Sequence, residues 1–383
     1  MTHPMTPRER LLTTLRGQIP DRVPVAPFVQ DEYLHVAYPD KQSVDRVVDA
    51  TALAEELDFD LMAKHRAFET PHFLRKSYPG WQVHQQSRTE RGIRHTRTEI
   101  SVPGRVLIHE EAAPEAGVAS AGVHASVEKY LLAEEDDLKA FLEHVPELDH
   151  ESAGLMAATA DSWREIIGDR GVLAPWGWAG VYNAACQLRG IETLMLDPYD
   201  NEELFRGFME RITALMEDYN GRLAATSLDC VGIQGHMANS RTVSPDYYRS
   251  FIQQYEKRVI DAIHRGGAFT VFHNCGFAST LYDIYRELGM TVWETVSEPP
   301  QGDNSLAEVK QRLGGDLVLL GNLDQIHFLK TASPAEVAAK TRSIIEVGKP
   351  GGRYIFSTSD FLEKGTPREN VVAMLRAARE SFY

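Results

Sequence analysis

Residues 266–276 read Gly266-Gly267-Ala268-Phe269-Thr270-Val271-Phe272-His273-Asn274-Cys275-Gly276. The glycine pair stops the helix that precedes it, and Ala268 to Phe272 is a continuous apolar run of the kind found in strands buried on both faces. His273 and Cys275 follow at the C-terminal end of that run. Side chains two apart along a strand point the same way, so both are predicted on one side, with Asn274 opposite.

The same kind of run recurs along the chain: Arg22 to Phe28, Phe59 to Ala63, Gly171 to Trp176, Cys230 to Gly235, Thr291 to Val296, Leu317 to Leu320 and Arg353 to Phe356. With Ala268 to Phe272 that makes eight, separated by helical stretches. Strands alternating with helices predict an α/β fold with a parallel sheet, and a closed (β/α)8 TIM barrel is the simplest arrangement of eight. Active sites of such barrels form at the C-terminal ends of the strands, where His273 and Cys275 stand.

Helix signals agree with this rhythm. Ser244-Pro245-Asp246 opens a segment running through Tyr255 and Ile260 to Gly266-Gly267, and Ser333-Pro334-Ala335-Glu336 opens another with a capping box. Trp81 to Glu110 departs from it. Alternating Thr, Arg, Val and Ile, punctuated by Gly92 and Gly104, predict an antiparallel β-hairpin inserted after the second strand. Glu115 to Asp161 is acidic and reads as helical, with Glu134-Glu135-Asp136-Asp137 at a helix start. No repeat or low-complexity linker interrupts the chain, so residues 1–383 are expected to form one decorated barrel domain.

Lys and Arg total 40 against 55 Asp and Glu, a net charge of −15. That charge repels phosphate backbones and anionic lipid, which argues against nucleic acid and membrane partners. Three cysteines do not make a secreted disulfide framework, and Met1 to Arg10 lacks the apolar core of a signal peptide. A cytoplasmic location is the expectation.

Pro7-Arg8-Glu9-Arg10-Leu11-Leu12, Gly17 and Pro20-Asp21-Arg22-Val23-Pro24-Val25 resemble the opening of the uroporphyrinogen decarboxylase superfamily. Gly321-Asn322-Leu323-Asp324 and Gly365-Thr366-Pro367-Arg368-Glu369-Asn370-Val371 are similar to its two late signatures. His273-x-Cys275-Gly276 resembles the zinc motif of the branch containing methylcobamide:coenzyme M methyltransferases and related corrinoid-dependent enzymes, with a more distant likeness to cobalamin-independent methionine synthase. The resemblance implies zinc, a small methyl donor or acceptor, and a corrinoid (cobalamin) that arrives on a partner protein or as a free cofactor, since no corrinoid-binding segment is recognisable in this chain.

One departure stands out. Relatives of this kind place a second Cys at the end of the eighth strand, where this chain has Asp360 in Ser357-Thr358-Ser359-Asp360. A carboxylate oxygen is a legitimate zinc ligand that leaves a harder metal, pointing to an oxygen or nitrogen acceptor rather than a thiol. Glu294, at the end of the sixth run, is the other candidate third ligand, because the methionine synthase relatives place a Glu there. The metal set is therefore His273 and Cys275 with Asp360 or Glu294.

His236, ending the fourth run, is a candidate general base or substrate hydrogen-bond donor, and Asp324 a candidate polar floor of the pocket. Trp176, Trp178, Tyr182, Phe277 and Trp293 are candidates for an aromatic substrate wall, and Glu298, in the Glu298-Pro299-Pro300 turn, for shaping a substrate loop. Two alternatives compete with methyl transfer. One is metal-independent decarboxylation of a porphyrinogen, which needs arginines after the first strand where this chain has Val29-Gln30-Asp31-Glu32-Tyr33. The other is a binding barrel without catalysis.

Overall fold

A computed structural model describes residues 4–114 and 125–383. Eleven strands are present among them: β1 Leu61–Ala63, β2 Gln82–Glu90, β3 Ile93–Val102, β4 Arg105–Pro114, β5 Ser126–Lys129, β6 Gly171–Leu173, β7 Cys230–Gln234, β8 Phe269–Asn274, β9 Val292–Thr295, β10 Val318–Leu323 and β11 Tyr354–Thr358. Seven of these fall on the apolar runs and pair in parallel, with helices between them.

The parallel strands do not form one continuous ladder. Strands β7 to β11 make a five-stranded sheet in chain order, and β1 pairs with β6 in a sheet of two. Arg22 to Phe28, expected as the first strand, makes only single bridges, Val25 to Phe356 and Arg22 to Phe382. Pro24 and Pro27 explain this, since proline has no N–H to give to a ladder. Pro175 likewise ends β6, leaving the junction with β7 to the Trp176–Gly232 bridge and to hydrogen bonds from Gly232 N to Pro175 O and from Gly177 N to Gly232 O.

Two apolar clusters lie on either side of these strands. The larger is built with the surrounding helices. The smaller takes Met62 from β1, Val172 from β6, Cys230, Val271 and Val292 from β7, β8 and β9, Val318 and Leu320 from β10, and Ile355 from β11, with Ala26, Ala174 and the helix residues Leu11 and Leu15. Because strand side chains alternate, residues two positions further along each strand share the face of this inner cluster. Lys64, His273 and Glu294 follow Met62, Val271 and Val292 in that way.

Between β1 and β6 the chain forms a four-stranded antiparallel sheet in the order β2-β3-β4-β5. It extends beyond the expected hairpin, adding residues 111–114 of β4 and the strand Ser126–Lys129; residues 115–124, within the stretch read as helical, lie outside the described residues. Helix starts later, at Glu135–His144, where Glu134 and Asp137 form a reciprocal cap, and continues at His150–Ile167. The two caps read from sequence are present: Ser244 accepts from Tyr247 N, and Ser333 shares a capping box with Glu336. The segment opened by Ser244 is two helices, Pro245–Phe251 and Gln253–Gly266, rather than one. Among the described residues, no helix is long and apolar enough to cross a membrane.

Candidate functional site

His273 is the penultimate residue of β8, and the parallel register sets it beside Glu294 of β9. Its Nδ1 lies 3.0 Å from Glu294 Oε2. Lys64, directly after β1, donates to Glu294 Oε1. All three side chains are buried, and the Lys64 ammonium sits 3.6 Å from the centroid of the Phe28 ring. A charge taken from water is tolerated only when paired, and these groups pair with one another. Asn274, on the opposite face as alternation requires, donates to the hydroxyl of Tyr285 in the helix layer at 2.5 Å.

One ligand atom from each of His273, Cys275 and Asp360 lies within 4.8 Å of the other two. Cys275 comes from the turn after β8 and Asp360 from the turn after β11, whose backbone N–H donates to Gln325 Oε1 at 3.2 Å. Burial, reinforced by the neighbouring His236 and Lys64, holds the His273 imidazole well below its usual value, so it is neutral and able to offer a lone pair. Burial and the adjacent Asp360 carboxylate push the Cys275 thiol up to about 12. Burial pulls the Lys64 amine down to about 7, against the opposing charges of Asp360 and Cys230. Imidazole nitrogen, sulfur and carboxylate oxygen converging on one point are a donor set that could hold zinc. Glu294 stands outside this group of three, with both oxygens engaged by Lys64 and His273.

Aromatic rings enclose the site on one side. Trp176 lies 5.4 Å from the His273 ring, centroid to centroid, and Phe28 lies 6.5 Å from it. Phe361 packs on Phe28 at 6.2 Å. His236 is at 6.4 Å from His273, with its Nδ1 3.3 Å from Asn183 Nδ2. Gly232 is required here, because a Cβ on it would fall 2.5 Å from the Trp176 ring.

The remaining sequence candidates lie elsewhere or have other work. Trp293 points into the helix layer between Tyr282 and Tyr285, because its neighbour Glu294 takes the inner face. Trp178 packs on Phe73 and Tyr219, and Tyr182 on Tyr247, so both belong to the core rather than to a substrate wall. Phe277 is half-buried beneath the Arg241 guanidinium, 3.3 Å from its centroid. Asp324 Oδ1 accepts from Gln301 Nε2 and from the N–H groups of Ile326 and His327, which braces the turn after β10. Glu298 accepts from Leu306 N at the start of the helix Leu306–Leu313.

Sequence reading passed over Lys64, Phe28 and Phe361. Lys64 carried the same signal as His273, a polar residue directly after an apolar run, but an isolated lysine reads as solvated.

The methylated-thiol:coenzyme M methyltransferase of Methanosarcina mazei is 24% identical over 200 residues, 52% of this chain and 51% of that protein. The methylcobamide:CoM methyltransferase MtaA of Methanosarcina barkeri is 22% identical over 210 residues, 54% of this chain and 58% of that one. The chain thus spans about half the length of the curated relatives it matches. A solved methyltransferase structure from Methanosarcina mazei superposes with a TM-score of 0.68 at 16% identity, covering 98% of this chain and 99% of its own, which establishes a common fold. Residues 121–381 match the uroporphyrinogen decarboxylase (URO-D) family, and this chain belongs to that family, resembling the methyltransferases within it.

Proposed function

We propose that the protein is a methyltransferase or demethylase in which His273, Cys275 and Asp360 hold one divalent ion, zinc by donor type, with a further coordination position left for substrate. The observation that carries this reading is the convergence of the three ligand atoms from the end of β8 and the turns after β8 and β11. When bound, the ion would act as a Lewis acid on the methyl donor or acceptor. The similarity to corrinoid-type methyltransferases supports methyl transfer between a small methylated substrate and a corrinoid, thiol or other acceptor, the corrinoid arriving on a partner protein.

The chain's own residues divide the remaining work. Trp176, Phe28 and Phe361 keep water from one side of the site and offer flat apolar surface to a methylated group. His236 lies close enough to His273 to donate to or accept from a substrate bound between them. Gln325 holds the Asp360 backbone in place. In this reading the two parallel sheets and the Arg22–Phe28 segment act as one eight-stranded barrel, residues 1–383 form one domain, and the antiparallel sheet is an insertion in it. The acidic Asp31-Glu32 pair after the first extended segment disfavours porphyrinogen decarboxylation, whose substrate is itself anionic.

Demethylation of free methylcobalamin by the purified chain, followed by its absorbance change with thiol, alcohol and amine acceptors in turn, tests this reading. Turnover should stop after chelation and return with zinc. Undiminished turnover by rigorously metal-free protein would contradict it.

A further inference from the structure

We infer that Lys64 is a positioning residue for this centre: by donating to Glu294 Oε1 it leaves Glu294 Oε2 to accept from His273 Nδ1–H, which fixes the histidine tautomer with its lone pair on Nε2. The inference rests on the metal reading above and extends it to a residue outside the His273, Cys275 and Asp360 set.

A neutral imidazole carries one proton, and the nitrogen that holds it is set by what faces it. Glu294 Oε2 faces Nδ1 at 3.0 Å, and Lys64 holds the other oxygen. A carboxylate held by a donor on Oε1 has only acceptor capacity at Oε2, so the proton of the His273–Glu294 bond belongs to Nδ1. Lys64 is 4% exposed and lies against the faces of Phe28 at 3.6 Å and Trp176 at 5.5 Å, which attract a cation but accept no conventional hydrogen bond. Without Lys64, a wholly buried carboxylate would keep one hydrogen bond, and nothing would hold it square to the ring. Carboxylate partners of a metal-binding histidine work in this way, and removing such outer partners costs about 10–100-fold in metal affinity.

Cobalt(II) titration of the full chain, wild type against Lys64→Met and Lys64→Arg, tests this. The cobalt dissociation constant should rise about 10–100-fold in Lys64→Met, and Lys64→Arg, which keeps a donor and the charge, should regain part of the loss. Ring nitrogen NMR of the metal-free wild type, with the signals of His273 identified by difference against His273→Gln, should place the proton on Nδ1. A folded Lys64→Met with wild-type cobalt affinity, or a wild-type His273 protonated on Nε2, would overturn the inference. If Lys64→Met does not fold, the ring measurement on the wild type decides alone. A wild-type chain that takes up no cobalt overturns the metal reading itself, a result distinct from unchanged affinity in Lys64→Met.

Discussion

The ends of the parallel strands and the antiparallel sheet use charge in opposite ways. At the strand ends, Lys64, Glu294 and His273 are buried and satisfied by one another, with aromatic rings in place of water. On the antiparallel sheet, Arg97 pairs with Glu99 and Glu110 while remaining 42% exposed, and a groove of about 290 Å³ beside it is lined by further charged and polar groups, among them Arg88, His95 and Glu128. Desolvation points to the strand ends, because a paired charge out of water is expensive unless a function or a network holds it, whereas exposed ion pairs are worth little.

The contrast predicts a gradient of mutational effects. Trp176→Ala should be the most damaging, removing a ring 3% exposed that walls the site, at about 3–5 kcal/mol of stability in denaturant titrations. A loss under 1 kcal/mol would show that the wall is not packed as described. Next, Asp360→Ala should lower zinc affinity by more than the roughly 10–100-fold typical of an outer partner, with little change in the circular dichroism spectrum. Glu294→Ala should fall within that range, and the reverse order in equilibrium dialysis would make Glu294 the ligand.

Asp149 sits at the root of the antiparallel sheet, where it caps the helix His150–Ile167 and accepts from Tyr78 and Lys76. Although burial works to raise it, hydrogen bonds from Tyr78, Ser152 N–H and Lys76 hold its carboxyl well below the usual range. A carboxyl depressed on folding stabilises above its unfolded value and loses that stabilisation as pH falls. Asp149→Ala should therefore cost about 1 kcal/mol for the cap at pH 7, and the gap from wild type should begin to narrow as pH falls below about 4. A gap that widens in acid would reverse the assignment. Smallest of all, Arg97→Ala should leave zinc uptake unchanged and shift the melting temperature least of the five, by an amount that vanishes as salt is raised.

Much of this was legible in the sequence because buried parallel strands announce themselves as apolar runs, and β8 places His273 where the Ala268–Phe272 run put it. What stayed hidden depends on neighbours across the sheet. Glu294 was recognisable as a strand-end carboxylate, but the register that sets it beside His273, and the lysine after β1 that meets it, are properties of pairing rather than of spacing. Trp293 and Glu294 were both read as facing the site, which alternation forbids for adjacent residues of one strand. The prolines at 24 and 27 could have withheld a ladder from Arg22–Phe28.

The central claim is that the converging side chains of His273, Cys275 and Asp360 make a metal centre. Zinc content after equilibrium dialysis, measured on the wild type and on Cys275→Ser, tests it most directly. The account predicts one ion per chain in the wild type and a sharp loss in Cys275→Ser without loss of fold, since a hydroxyl is a far poorer ligand than a thiolate. Equal zinc in both proteins, or none in either, would contradict it.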